Sequence, residues 1–206
     1  MKKLYFWILV FSVIAIDQIT KFYIKLHFFM GEKRAVVGHW FYLYFTENPG
    51  MAYGWKLGEG SWAKIMLTSF RLVAVIVGFF FIKRFFKKMF PFGFYFFVAL
   101  IYAGAIGNLI DSLFYGQLFS ASFDFIQQPA EFLPVAGGYA PLFLGKVVDM
   151  LYFPIIENAL FPQWVPFFGG DSFTFFSPIF NVADSAISTG VIGLLIFQKK
   201  LFVSNV

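Results

Sequence analysis

The chain has 206 residues and a net charge of +5, with 60% apolar and only 13% charged residues, where soluble domains carry about 25% charged. Its 34 phenylalanines and mean hydropathy of +0.75 give more apolar surface than one soluble core can hide, so lipid is the expected solvent. The absence of Cys excludes disulfides, thiolate metal sites and a Cys nucleophile, the two histidines are too few for a His-rich metal site, and no basic run interleaved with aromatics suggests nucleic acid.

The first predicted spanning helix covers residues 4–26. Lys2 and Lys3 precede it, and it leads into Asp17-Gln18-Ile19-Thr20-Lys21 rather than a small-residue cleavage site, so it reads as an uncleaved span and not a secretory signal. The aromatic stretch Trp40-Phe41-Tyr42-Leu43-Tyr44-Phe45-Thr46 then reads as a strand. A turn at Glu47-Asn48-Pro49-Gly50 ends it. Two more spans follow at 62–82 and 92–114. Between 115 and 174 the prolines Pro129, Pro134, Pro141, Pro154, Pro162 and Pro166 argue against long helices. That segment stays apolar, as in Leu151-Tyr152-Phe153-Pro154-Ile155-Ile156, and is expected to rest on the outer membrane interface. A fourth span is predicted at 175–197. Each span has the roughly 20 residues that a crossing needs. The chain therefore reads as an all-α membrane protein with four transmembrane helices and extended outer loops, one membrane-embedded domain over 1–206 with no internal repeat.

Lys and Arg set the orientation. Lys2 and Lys3, then Lys83, Arg84, Lys87 and Lys88, then Lys199 and Lys200 all fall on one side of four crossings. That side is assigned to the cytoplasm, with both termini there. Residues 28–61 and 115–174 lie outside, where the sparser cations are offset by Glu32, Glu47, Glu59, Asp124, Glu131, Glu157 and Asp171.

Ionisable groups inside a span cost a few kcal/mol, face protein or water, and mark functional sites. Asp17 and Lys21 are four apart on one helix face. Asn108 and Asp111 are three apart near the end of the third span, and Asn181 and Asp184 are three apart in the fourth. Lys64 and Arg71 sit in the second. At 1.5 Å per residue, Asp17 is roughly 20 Å along its helix, in the outer half. Asp111 lies near an outer helix end, Asp184 about nine residues after an outer start, and Asp149 in the apolar outer stretch Gly145-Lys146-Val147-Val148-Asp149-Met150. Four carboxylates thus share one layer, which independent structural roles would not require. Two close carboxylates in a low-dielectric site cannot both ionise easily, so one holds a proton while the other is charged. The charged one can take a proton from attacking water and the protonated one can donate to the carbonyl or the leaving amine. Spacing alone does not say which two of the four form such a pair.

Five ordered blocks resemble signal peptidase II, the bacterial lipoprotein signal peptidase family. They are Asp17-Gln18-Ile19-Thr20-Lys21; Asn48-Pro49-Gly50-Met51-Ala52-Tyr53-Gly54; Gly104-Ala105-Ile106-Gly107-Asn108-Leu109-Ile110-Asp111; Val147-Val148-Asp149; and Phe180-Asn181-Val182-Ala183-Asp184-Ser185-Ala186. The resemblance implies an aspartic endopeptidase of the bacterial inner membrane, monomeric and with neither metal nor cofactor. It would cleave the signal peptide from a diacylglyceryl-modified prolipoprotein just before the lipidated cysteine, with the site near the outer face. It implies Asp149 and Asp184 as the catalytic pair. It implies Asp17, Lys21, Asn48, Gly50, Gly104, Asn108, Asp111, Asn181 and Ala183 as residues that shape the pocket or hold substrate or the antibiotic globomycin. It also implies a small extracytoplasmic β-cradle, which the strand before Asn48 fits, and a mobile flap. Membrane lipid is the expected surrounding, and no nucleic acid is a partner. Two features depart from the family pattern. Ser112 stands where an Arg is usual, so another cation, Arg71 or Lys146, takes its place or the site is wetter. The outer segments from Asp111 to Asp149 and from Asp149 to Asp184 are also longer than usual.

Simpler readings stand beside these. Asp17 with Lys21 suits a plain buried ion pair, Asn108 and Asn181 suit interhelical hydrogen bonds, and Gly104 and Gly107 suit close helix packing. Lys64 is expected to snorkel to the outer interface, Arg71 to pair within the bundle, and His27 and His39 to lie at the surface. A proton-coupled transporter would place charges across the whole membrane and show broken-helix repeats, and neither pattern is present. A scaffold would tolerate Asn in place of the aspartates, and a serine protease would need a His inside the bundle.

Overall fold

The computed structural model describes residues 2–50, 61–88, 90–175 and 177–201. Three long helices dominate: α1 Lys2–His27, α2 Ser61–Phe85 and α3 Phe92–Leu118. Each is long and apolar enough to cross a membrane. Ile8, Phe11, Ile16 and Ile19 on α1, and Met66, Phe70, Val73 and Phe80 on α2, point outward. Apolar faces of this extent, on helices of spanning length, suit contact with lipid. α2 is the extreme case, with Thr68 and Ile82 its buried residues among those described.

The remaining elements are short. Strands β1 Lys33–Val37, β2 Phe41–Asn48, β3 Val147–Tyr152 and β6 Ile179–Phe180 form one antiparallel sheet in the order β1-β2-β3-β6. Strands β4 Ile156–Leu160 and β5 Ser172–Phe175 pair as a separate two-stranded sheet. Helix α4 Val182–Ile196 follows β6 directly, and the single turn α5 Gln198–Leu201 follows α4.

The fourth span differs from its expected 175–197. Phe175 ends β5, and Ile179 and Phe180 pair with Tyr152 and Leu151 of β3. Pro178 biases its predecessor away from helix, and Asn181 caps α4 through a bond from the Asp184 amide at 2.8 Å. Hydropathy cannot distinguish a short apolar strand from the start of a helix. As a result Asp184 lies in the first turn of α4, not nine residues into a helix.

Two apolar clusters hold the molecule. Phe6 and Val10 of α1 pack with Phe94, Tyr95, Ala99, Tyr102 and Ala103 of α3. Ile24 at the far end of α1 and Phe28 just beyond it pack with Phe45, Tyr115, Phe119, Val148 and Met150, which seats the sheet on the helix ends. Asp17 and Lys21 on α1, and Asp111 on α3, fall between these clusters. Helices α3 and α4 meet closely because Gly104 and Gly107 face Ala183: a Cβ on Gly104 would strike the Ala183 carbonyl oxygen, and one on Gly107 would lie 2.6 Å from Asp17 Oδ2.

Candidate active site

β3 runs Val147-Val148-Asp149-Met150, and successive side chains on a strand point to opposite faces. Val148 and Met150 enter the second apolar cluster, which turns Asp149 to the other face, toward α4. There Asn181 Nδ2 donates to Asp149 Oδ1 at 2.7 Å and, at 3.2 Å, to Asn108 Oδ1. Asn108 Nδ2 donates to Asp184 Oδ1 at 2.8 Å. Two linked amides therefore join the two carboxylates, with Asn181 also serving as the α4 cap. Asn48, at the end of β2, adds a second hydrogen bond to Asp149, and its Oδ1 accepts from the Gly50 amide at 2.8 Å. Gly50 has φ +102°, a conformation that glycine adopts without strain.

Asp149 is buried and Asp184 half-buried. Burial first, and the charge of Asp184 second, push the Asp149 carboxyl up to about 7, against the opposing bonds from Asn181 and Asn48 and the charge of Lys21. Asp184 stands at the positive end of the α4 dipole.

Below this pair lies a second ionic group. Lys21 Nζ is 2.8 Å from Asp17 Oδ2 and 2.8 Å from Asp111 Oδ2, with all three side chains fully buried. It also donates to Asn108 Oδ1 at 3.0 Å. Each carboxylate of this triad holds the backbone beside one member of the pair: Asp17 Oδ1 accepts from the Ala183 amide at 2.9 Å, and Asp111 Oδ2 accepts from the Val148 amide at 3.3 Å. One lysine thus offsets two buried negative charges that fix Ala183 next to Asp184 and Val148 next to Asp149. Burial of such charges is tolerated only with this completeness of pairing.

All eleven residues singled out from the sequence take part in this assembly or border it. Asp17, Lys21, Asn48, Asn108, Asp111, Asp149, Asn181 and Asp184 are joined by hydrogen bonds or ion pairs. Ala183 contributes its amide, Gly104 allows the approach of α4, and Gly50 borders the Asn48 end. Residues 51–54 of the second block lie outside the described residues. At Ser112, the hydroxyl accepts from Arg71 Nη1 at 2.7 Å and donates to the Asn108 carbonyl at 2.8 Å, so a guanidinium from α2 reaches the position beside Asp111. Lys146 instead pairs with Glu47 at 2.9 Å.

Some residues were not foreseen. Gln18 Nε2 donates to Asp111 Oδ1 at 2.9 Å and Asp17 Oδ2 at 3.1 Å, and its Oε1 accepts from the Tyr115 hydroxyl at 3.1 Å. Glu47, counted from the sequence only among the acidic residues that offset the outer cations, is buried between Lys25 and Lys146. Lys25 is fully buried and also donates to Ser122 Oγ at 3.1 Å. The signal for Lys25 was present, since residues 17, 21 and 25 repeat every four along one face of α1. Lys64 does not snorkel: its Nζ is buried with no hydrogen-bond partner among the described residues. His27 and His39 are exposed as expected.

A family model described as signal peptidase (SPase) II matches residues 9–200. A lipoprotein signal peptidase of Porphyromonas gingivalis is 44% identical over 193 residues, covering 93% of this chain and 81% of that protein. One of Amoebophilus asiaticus is 34% identical over 201 residues, covering 93% of this chain and 76% of that protein. A solved structure described as a bacterial membrane enzyme shares the fold with a TM-score of 0.60 at 24% identity, covering 95% of this chain and 88% of its own.

Proposed function

The chain belongs to the signal peptidase II family, and on that premise we propose that Asp149 and Asp184 are the aspartic pair with which it cleaves the signal peptide from diacylglyceryl-modified prolipoproteins, just before the lipidated cysteine. The observation that carries this reading is the bridge of Asn181 and Asn108 between one buried and one half-buried carboxylate. With Asp149 pushed up to about 7, the pair keeps one proton from weakly acid pH up to about neutrality and titrates as a unit. Asp184 takes a proton from a water as its oxygen attacks the scissile carbonyl carbon. Asp149 donates its proton to the carbonyl oxygen. Collapse breaks the C–N bond, the amine leaves with a proton, and the pair returns to one proton. Asp17, Lys21 and Asp111 touch no reacting atom in this scheme and act by holding Ala183 and Val148. Asn48 and Gly50 line the approach, where globomycin-type inhibitors compete with substrate.

The membrane arrangement follows the same reading. Helix α4 has 15 residues, about 22 Å at 1.5 Å per residue, and α5 extends it toward Lys199 and Lys200. Together they make the fourth crossing of one peptidase domain over 1–206. The Lys and Arg clusters support a reading with both termini in the cytoplasm, the pair near the outer face of the bacterial inner membrane, and the sheet β1-β2-β3-β6 as an extracytoplasmic cradle. The protein works as a monomer.

The test is cleavage of a synthetic diacylated prolipoprotein peptide by the purified protein, with the products weighed. A single cut before the lipidated cysteine that globomycin blocks is expected. Equal cleavage of the unlipidated peptide, or a cut elsewhere, would contradict the reading.

A further inference from the structure

Arg71 is a half-buried cation on α2, a helix that otherwise turns mostly apolar side chains to the outside. Thr68, one turn earlier, ties this face of α2 to the protein by donating to the Phe143 carbonyl at 2.9 Å. The Arg71 guanidinium makes one hydrogen bond among the described residues, to Ser112 Oγ at 2.7 Å, and forms no ion pair there. Ser112 Oγ donates to the Asn108 carbonyl, and the Asn108 side chain holds Asp184. The guanidinium therefore ends within one α3 turn of the amide that positions Asp184, and Asp184, Asp111 and Asp149 are the carboxylates whose fields reach it. A guanidinium carries five N–H donors in a planar fork that matches a carboxylate. Among the described residues four of the five are unspent, in a spanning helix where an idle cation is costly.

The reaction supplies the matching anion. Hydrolysis of the scissile amide adds the water oxygen to the carbonyl carbon, breaks the C–N bond and sends a proton to the departing amine. The cleaved signal peptide is left with a new C-terminal carboxylate beside the negative charge of Asp184. We propose that Arg71 binds this carboxylate and so forms a product site for the free C-terminus of the signal peptide. The assignment rests on the catalytic pair proposed above.

Two synthetic signal peptides, identical except for a C-terminal carboxylate or carboxamide, are titrated against the full chain in micelles by fluorescence anisotropy. The wild-type protein binds the carboxylate form tighter by about 10- to 100-fold, the range for a hydrogen bond to a charged group. Arg71→Gln reduces that preference to less than about twofold and leaves carboxamide affinity in place, which also reports an intact fold. Arg71→Lys keeps part of the preference, because the charge remains and the fork is lost. The proposal is overturned if Arg71→Gln keeps the preference, weakens both peptides alike, or leaves it to vanish only with Lys64→Gln. No turnover enters this measurement, so cleavage by the aspartate variants judges the catalytic pair separately.

Discussion

Replacing Asn181 with Ala removes two functions of one side chain. The first is the α4 cap, the bond from the Asp184 amide to Asn181 Oδ1 at 2.8 Å; loss of such a cap costs about 1 kcal/mol. The second is the 2.7 Å bond from Asn181 Nδ2 to Asp149, which favours the ionised carboxylate and so holds its titration down. Without it the Asp149 carboxyl keeps its proton to higher pH. The pair is active while it carries one proton, so activity falls as pH rises through about 7 in the wild-type protein. In Asn181→Ala this alkaline limb moves upward, by up to about one pH unit for a change near 1.4 kcal/mol. The peak rate also drops, about 100-fold, because misplacement of reacting groups by 1 Å is worth that much. The assay is kcat/KM for a diacylated peptide across neutral pH, with Tm measured on the same preparations. An alkaline limb that stays in place, or moves to lower pH, would refute the reasoning.

Gly104→Ala would set a methyl against the Ala183 carbonyl and 2.7 Å from Ile187 Cγ1, parting α3 from α4. Overpacking of this kind costs about 1–3 kcal/mol, so both Tm and kcat should fall, and an unchanged Tm would count against the packing argument. Glu47→Gln leaves Lys25 buried without its counter-charge, an uncompensated charge worth about 3–5 kcal/mol. Its Tm should drop while the alkaline limb stays near its wild-type position, and Lys25→Met in the same chain should restore part of the Tm. Treatment with EDTA should leave turnover unchanged, since the proposed chemistry runs on the two carboxylates and water.

The helices α1, α2 and α3 were legible because a long apolar run bounded by Lys or Arg has few other physical meanings. The partners Asp17–Lys21 and Asn181–Asp184 were legible from helical spacing, as a face and as a cap. The start of α4 was not, because Phe175 to Phe180 is apolar enough for either a strand or a helix, and the pairing of β6 with β3 depends on residues 27 or more positions away. The role of Glu47 was hidden for a similar reason. Its burial is set by Lys25 and Lys146, 22 and 99 residues distant, and a lone Glu before a turn carries no mark of that. Ser112 drew notice only as a departure from the family pattern; that its hydroxyl meets Arg71 is a tertiary fact. Gln18 lay inside a matched block, but its neighbours carry the charges, and its bridging of Asp17 and Asp111 required α1 and α3 to be set side by side.

The central claim is that Asp149 and Asp184 form the catalytic pair. It is tested most directly by cleavage of a diacylated prolipoprotein peptide by purified Asp149→Asn and Asp184→Asn proteins, each shown by Tm to be folded. Both variants should lose detectable cleavage, because neither can complete the proton transfers with an amide in place of a carboxyl group. Wild-type turnover by either folded variant would contradict the account.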